Sequence, residues 1–376
     1  MLSILNEITK LRSDTSLSID RTNSNRYRVV LNEDNFTKTA YYFSTPIYNM
    51  STKKAVDMKF HTFENYFYLE GSNSSIIFSD KIKLENHYGY ISIDLPEKIS
   101  LKSEYELHSG TNKIFPTTNG FAYMILCPND IPFSFDVESS IPFLNVRSNN
   151  KCFSLMREKF EPFFTVSCIG TSNLSREIIA PAKLICDKIT DRKYKISVTP
   201  STPVSHYVLI EINMYESKLF QDTTVESKNP MLNNAFGSIA YIGTTKEFGE
   251  QWLYTRPDFS ILSDLLGKRI LKAVFHIPTL NITNITLTGY SLSSRFCSFG
   301  SNWDNKMAMK EAIVSSNIRF GYQDMDVTKL LTNKESMLER SEGLIIKSKT
   351  KNNGFSVMPT GDSYYAPQIL EINYEL

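Results

Sequence analysis

The chain is dominated by short runs in which apolar and polar residues alternate, separated by turn residues. Lys81–Leu84 and Tyr90–Leu95, joined by a turn at 86–89, are typical of a hairpin. A period of two places every second side chain on one face, as in a half-buried strand. The pattern predicts a β-rich chain. It also predicts strands at Tyr27–Leu31, Thr39–Phe43, Ala55–Phe60, Tyr66–Glu70, Ile76–Phe78, Gly120–Leu126, Phe133–Val137 and Phe163–Cys168.

Three further runs follow in residues 180–215, and their spacing predicts a three-stranded meander. The runs are Ala182–Ile189, Lys193–Val198 and Val204–Met214, with turns at 191–192 and 200–203. A length of 376 residues suits two or three domains. Because the meander ends near 215–218, we predict a β-rich attachment domain over 1–215 and a second domain over 217–376.

The N-terminal residues follow a helical period instead. We predict one short amphipathic helix over residues 1–13, which would be marginal if isolated in water. It therefore docks either on its own domain or on a partner, and both alternatives stay open. The apolar positions of the helical face are Met1, Ile4, Leu5, Ile8 and Leu11.

Composition supports the prediction of a β-rich chain. It also limits the kinds of partner and the cellular compartment that we expect. The 24 Phe and 20 Tyr residues favour strands. A net charge of +1 gives no basic excess, so we predict no nucleic-acid partner. The five cysteines include no Cys-x-x-Cys pair and are predicted to be free thiols of a reducing cytoplasm. We also expect no signal peptide and no membrane insertion, since no long apolar segment is present.

The second half carries nine short motifs in a fixed order. The ordered series resembles the DNRLRE family of β-sandwich modules, which occur in bacterial surface proteins and in proteins coded with phage tails. Asn302 and Met307 depart from the family pattern, which has Thr and Pro there. The resemblance implies a jelly-roll-like β-sandwich over 217–376. The motifs are Phe220–Val225, Asn229–Gly237, Tyr241–Gly243, Arg256–Ser260, Ile270–Phe275, Asn302–Lys306, Asp326–Leu331, Ser341–Ile346 and Tyr365–Tyr374.

Two groups of residues in this half could bind a ligand. Trp252, Tyr254 and Trp303 could stack on sugar rings, although packing in the core is the alternative for each. Asp222, Asn233 and Asn234 could give oxygen ligands to Ca²⁺. The alternative for this second group is an Asx turn that bonds its own backbone.

Catalytic motifs are not evident in the sequence. It has no Gly-x-Ser-x-Gly, P-loop or Gly-x-Gly-x-x-Gly motif, and its five histidines form no His-x-x-x-His pair. Glu158 and Glu161 stand three residues apart, but many acidic pairs could meet the spacing that a glycosidase needs. We therefore predict no enzymatic activity and no cofactor, with Ca²⁺ left open.

The function expected from these features is structural. Thr39–Tyr48 resembles proteins from the tail loci of clostridial phages and phage-tail-like bacteriocins. We expect a tail-, baseplate- or fibre-associated component of a phage or phage-like contractile tail, present in several copies in a symmetric virion or particle. Its partners would be other virion or tail proteins and a host-surface glycan. A carbohydrate- or cell-wall-binding adhesion module is the alternative.

Overall fold

The fold is all-β, as the alternation predicts. The computed structural model describes residues 4–12, 17–49, 51–128, 131–141, 144–148, 151–152, 164–201, 206–216, 218–283, 285–319, 321–333, 336–349 and 354–376. Strands account for 54% of the described residues and helices for 7%, and the sheets are antiparallel apart from the parallel pairing of Leu144–Arg147 with Phe164–Ser167. Glu158 and Glu161 lie outside the described residues.

Of the first 217 residues, those that the structure describes contain one helix and most of the short hairpin strands. The elements are α1 (Ile4–Arg12), β1 (Arg28–Asn32), β2 (Thr37–Phe43), β3 (His61–Phe63), β4 (Tyr66–Glu70), β5 (Ser75–Phe78), β6 (Lys81–Asn86), β7 (Gly89–Asp94), β8 (Ile99–Ser103), β9 (Glu106–Ser109), β10 (Asn112–Pro116), β11 (Gly120–Cys127), β12 (Phe133–Ser139), β13 (Leu144–Ser148), β14 (Lys151–Cys152), β15 (Phe164–Ser172), β16 (Ile178–Ala180), β17 (Ala182–Lys188), β18 (Lys193–Pro200) and β19 (His206–Met214).

The described part of residues 218–376 contains longer strands and three short helices. These elements are β20 (Phe220–Glu226), β21 (Ile239–Thr245), β22 (Gly249–Pro257), α2 (Phe259–Ser263), β23 (Arg269–Pro278), β24 (Leu287–Leu292), β25 (Met309–Arg319), β26 (Tyr322–Asp326), α3 (Thr328–Thr332), α4 (Met337–Arg340), β27 (Leu344–Ser348), β28 (Phe355–Pro359) and β29 (Ile369–Glu375).

The chain forms two compact units, and their limits differ from the predicted domains 1–215 and 217–376. The first unit contains Met1–Asn6 and Pro46–Ser217, and the second contains Glu7–Thr45 and Lys218–Leu376. The difference arises because β2 pairs along its whole length with β29, the last strand, and β1 pairs with β2. A strand partner more than 300 residues away leaves no trace in the local pattern of β2.

The first unit has two sheets with one apolar core. One sheet has the order β17-β18-β12-β7-β6-β5-β4-β3, and the other has the order β14-β13-β15-β19-β11-β10-β9-β8, with β16 on β15. The core cluster takes side chains from both sheets. Phe78 of the first and Phe121 of the second meet edge to face, with ring centroids 5.5 Å apart.

Two expectations for this unit are wrong. Residues 55–60 form no strand, and Ala55 makes just an isolated bridge with Tyr48. The meander is also incorrect, because β17 and β18 pair in one sheet while β19 pairs with β11 and β15 in the other. Residues 207–214 explain the error, because all but the first are buried, as in a central strand covered on both faces.

The second unit is built on one extended sheet. Its order is β1-β2-β29-β23-β26-β25-β24-β27-β22-β21-β28, with β20 on β22. Leu370 and Ile372 of β29 and Phe275 of β23 point into its core. Because side chains alternate between the faces of a strand, Glu371 and His276 lie on the opposite face.

Helix α1 confirms the predicted helix over Ile4–Arg12, and the remaining positions of the predicted range 1–13 lie outside the described residues. Ile8 and Leu11 are buried. Glu7 accepts a hydrogen bond from the Tyr322 hydroxyl at 3.0 Å, and Arg12 pairs with Glu33. The part of the helix from Glu7 to Arg12 therefore packs on its own chain, within the second unit.

Candidate functional site

The three predicted aromatic ligands come together in a packed cluster. Trp252 and Tyr254 point to the same face of β22, and their exposed fractions are 7% and 0%. The Trp252 and Trp303 rings have centroids 4.9 Å apart, and both pack with the core cluster that contains Tyr254 and Phe296. A buried ring offers no open face to a sugar. Trp303 is half-buried and is the most accessible ring of the three.

Further contacts cover the Trp252 ring. Its indole Nε1 donates to Glu250 Oε1 at 2.8 Å. The ammonium groups of Lys306 and Lys347 lie 5.7 and 4.8 Å from its ring centroid. Cations over an aromatic face stabilise the packed arrangement. The geometry of this cluster is that of core packing capped by lysines.

The three predicted calcium ligands do not present their oxygens to one point. Asn233 Oδ1 accepts from the Ala235 amide at 3.1 Å, which is the Asx-turn geometry, while its Nδ2 donates to two carbonyls in the loop 298–301. Asn234 Nδ2 donates to Glu226 Oε2 at 3.3 Å. Asp222 instead faces an ammonium group. Among the described residues, no three His, Cys, Asp or Glu side chains are grouped to hold a metal ion.

Asp222 belongs to a buried charged cluster, which we call the lysine cluster: Lys218, Asp222 and Asp362. Lys218 Nζ lies 2.7 Å from Asp362 Oδ2 and 3.4 Å from Asp222 Oδ1. The side chain of Lys218 is 9% exposed, and both carboxylates are fully buried. The backbone amide of Gly361 donates to Asp222 Oδ2 at 2.7 Å, which holds that carboxyl in place.

Its three described members give the lysine cluster more negative than positive charge. Two carboxylates and one ammonium carry a net charge of −1, and a charge without water around it is strongly unfavourable. Burial raises the pKa of Asp222; the Lys218 ammonium opposes that shift, and Asp362 adds to it. The arrangement therefore favours retention of a proton, so one carboxyl can act as an acid.

A second buried cluster lies on the outer face of the sheet, which we call the histidine cluster: His276, Asp324 and Glu371. His276 Nδ1 lies 2.7 Å from Asp324 Oδ1, and Nε2 lies 3.1 Å from Glu371 Oε2. Burial alone would lower the pKa of His276, but the hydrogen bonds to the two carboxylates outweigh it and raise the pKa. The imidazolium form, with both nitrogens as donors, fits these two contacts.

Arg256 is a third buried charge, and it lines a cavity of about 30 Å³ below α3 and α4. It is 6% exposed, and its Nε and Nη1 atoms have no hydrogen-bond partner among the described residues. Burial, followed by the nearby Arg295, lowers its pKa to about 10. A guanidinium in this setting is chemically suited to a small anion.

The glycine of the Ser341–Ile346 motif makes room for Arg256. Gly343 has a φ of +89°, and a Cβ atom there would come within 2.6 Å of both Arg256 Cβ and the Thr255 carbonyl oxygen. Glycine is the residue that adopts this backbone conformation without strain. The motif thus has a packing role beside the cavity.

Sequence reasoning singled out Asp222 but missed both of its partners. Lys218 and Asp362 are 144 positions apart, and a lysine next to a strand normally lies in water. His276 lies in β23, but its carboxylate partners come from β26 and β29. Neither cluster has a local motif that could have revealed it.

The cysteines and the helices also bear on the sequence predictions. Cys127, Cys168, Cys186 and Cys297 are not in disulfides, in agreement with the predicted thiols, and the side chain of Cys152 lies outside the described residues. Within the described residues, no helix has the length and apolarity that a membrane span requires. A scan against protein-family models and a search of curated proteins both find no match to this chain. The resemblance to the DNRLRE family stays a prediction.

Proposed function

We propose that the protein is a non-enzymatic structural component of a phage or phage-like contractile tail. In this proposal it is a tail-, baseplate- or fibre-associated subunit in a virion or particle. The first unit attaches it to neighbouring tail proteins, and the second unit faces outward, towards the host surface. The observation that carries the proposal concerns the sheet edges of the first unit.

Those edges present apolar side chains to solvent. β3 and β17 end the eight-stranded sheet, and β8 ends the nine-stranded sheet. Phe63 of β3, Leu101 of β8 and Ile185 of β17 are exposed. A sheet edge offers backbone groups for pairing with another chain, and exposed Lys183, Asp187 and Lys188 of β17 leave Ile185 as an apolar position between charges. These edges support assembly with other protein chains.

The alternative function, a carbohydrate- or cell-wall-binding module, draws less support from the geometry. Its predicted binding rings at Trp252 and Tyr254 are buried. A glycan array with the full chain separates the two functions. Binding to a cell-wall glycan without incorporation into particles would favour the adhesion module.

Immunogold electron microscopy of purified tail particles tests the proposal. We expect label at regular positions on the particles. If the protein is absent from purified particles, the proposal fails.

A charge placed on an edge sharpens the test. Ile185→Lys should reduce incorporation into particles at least tenfold while the protein stays folded, because a lysine on an edge strand prevents pairing. Leu266→Lys is the matched control, since Leu266 is an exposed apolar residue outside the strands of the second unit. Equal incorporation of the two variants would show that the edges do not mediate attachment.

A further inference from the structure

We propose that Lys218 and Asp362 join covalently in an intramolecular isopeptide bond, with Asp222 as the residue that transfers the proton. The bond would link the segment before β20 to the loop between β28 and β29. The inference depends on the geometry of the lysine cluster and is independent of the proposed tail function.

The reacting atoms are already in contact. Lys218 Nζ lies 2.7 Å from Asp362 Oδ2, so the amine nitrogen is already in contact with the carboxyl group that it would attack. Reactions between groups held in this way gain the advantage of a very high effective concentration. Elements on either side restrain both residues, since Lys218 adjoins β20 and Asp362 follows Gly361, whose amide is bonded to Asp222.

The reacting groups are almost completely shielded from water. An amine must be neutral to act as a nucleophile, and burial disfavours the charged forms of both amines and carboxyls. Both carboxylates are fully buried, and Lys218 is 9% exposed. A proton can therefore pass from the ammonium to a carboxylate at little electrostatic cost. The same seclusion prevents water from competing for the acyl carbon.

The reaction balances without a further reagent. The Lys218 ammonium and the Asp362 carboxylate become one amide and one water molecule. Nζ attacks Cγ of Asp362, so that an N–C bond forms and a C–O bond breaks. The two protons that leave Nζ go to the departing oxygen. Asp222 takes up a proton from Nζ, delivers it to that oxygen and ends in its starting form.

The contacts distinguish the roles of the two aspartates. Asp222 Oδ1 is farther from Nζ, at 3.4 Å, and its Oδ2 is engaged by the Gly361 amide. The raised pKa of Asp222 matches a group that holds a proton near neutrality. Asp362 is closer to Nζ, so it is the acyl donor.

The test is the mass of the full-length protein under denaturing conditions, followed by peptide mapping. We expect the intact mass to be lower than the sequence mass by one water molecule. Fragmentation should identify a branched peptide that joins Lys218 to Asp362. A folded wild-type protein with the full sequence mass would overturn the proposal, and so would a bond to Asp222.

Three variants establish the roles. Lys218→Met and Asp362→Ala should restore the full mass, because each removes a reacting group. Asp222→Asn keeps both reacting groups and should also restore it, because the amide cannot relay the proton. Lys329→Met, at an exposed lysine, is the control and should retain the deficit. Bond formation in Asp222→Asn at the wild-type rate would contradict the role of Asp222.

Discussion

The second unit contains two buried clusters with the same inventory, one basic side chain between two carboxylates, but with different access to water. In the histidine cluster, the Asp324 and Glu371 side chains keep exposed fractions of 10% and 21%. In the lysine cluster, the exposed fraction of both carboxylate side chains is 0%. In the histidine cluster, hydrogen bonds to two partly hydrated carboxylates raise the pKa of His276, whereas in the lysine cluster full burial raises the pKa of Asp222.

This difference determines what each cluster can do. The histidine cluster is a reversible ion network that links β23, β26 and β29 and responds to pH. The lysine cluster has a secluded amine in contact with a carboxyl group, which is the arrangement for amide formation. Similar charge inventories therefore lead to a titrating site in one place and to a covalent link in the other.

The largest expected effect comes from removal of the strands that cover the histidine cluster. The sequence predicts that residues 217–376 form a complete domain, but β2 pairs with β29 and places Tyr41 opposite Glu371. We expect the isolated 217–376 fragment to show no cooperative unfolding. The loss would be the whole free energy of unfolding, which is roughly 5–15 kcal/mol for a folded domain. Circular dichroism during a urea titration measures this.

A peptide that spans residues 17–45 provides the control for the fragment. Added in excess, it should restore a cooperative transition, because it supplies β1 and β2. A fragment that unfolds cooperatively at the same urea concentration as the full chain would show that these strands are dispensable.

The second effect concerns the covalent link. A cross-link between Lys218 and Asp362 closes a loop of about 145 residues, and a loop of this size contributes about 5 kcal/mol to the free energy of unfolding in the chain-entropy account. Asp222→Asn should lose most of that amount while leaving the ion pair of Lys218 and Asp362 in place. Guanidinium titration of wild type and variant gives the difference. Equal midpoints would argue against a bond in the wild type.

The third effect is the pH dependence of the histidine cluster. His276 has a raised pKa in the folded state, so its stabilisation is complete below its unfolded pKa of about 6.5 and is lost as pH rises through the folded pKa. We expect His276→Leu to cost about 3 kcal/mol at pH 6, because two half-buried carboxylates lose their partner. The loss of unfolding free energy caused by His276→Leu should be smaller at pH 9.

Urea unfolding at both pH values measures this dependence. His87→Leu, at an exposed histidine, is the matched control and should leave the free energy of unfolding nearly unchanged at each pH. A cost for His276→Leu that grows with pH would reverse the sign and contradict the charged state of His276.

The smallest effect is expected at Arg256, a buried cation that forms no ion pair with a carboxylate among the described residues, although Asp258 favours its charged form. Arg256→Met keeps the length of the side chain and removes an unpartnered charge, so it should raise the free energy of unfolding by about 1 kcal/mol. The melting temperature reports the change. A lower melting temperature would show that the contact between the guanidinium and the Phe296 ring, at 5.5 Å, outweighs the burial of the charge.

Local alternation was enough to predict much of the fold. Lys81–Leu84 and Tyr90–Leu95 identify β6 and β7, since their spacing matches half-buried strands. The pairing of β2 with β29 and the passage of β19 into the second sheet of the first unit could not be predicted, because long-range pairing leaves no local signal. Asp222 was predicted as a possible Ca²⁺ ligand, but its partner Lys218 was not predicted, because burial of a lysine is decided by the tertiary fold.

A nitrogen NMR spectrum of the full-length protein labelled with ¹⁵N at lysine and histidine tests the central comparison most directly. The account predicts an amide-type signal for Lys218 Nζ, coupled to one proton and constant between pH 5 and pH 9 (roughly the range in which histidines titrate). It also predicts that His276 carries protons on both ring nitrogens near neutrality. An ammonium signal at Lys218 would contradict the covalent link and would leave the two clusters with the same chemistry.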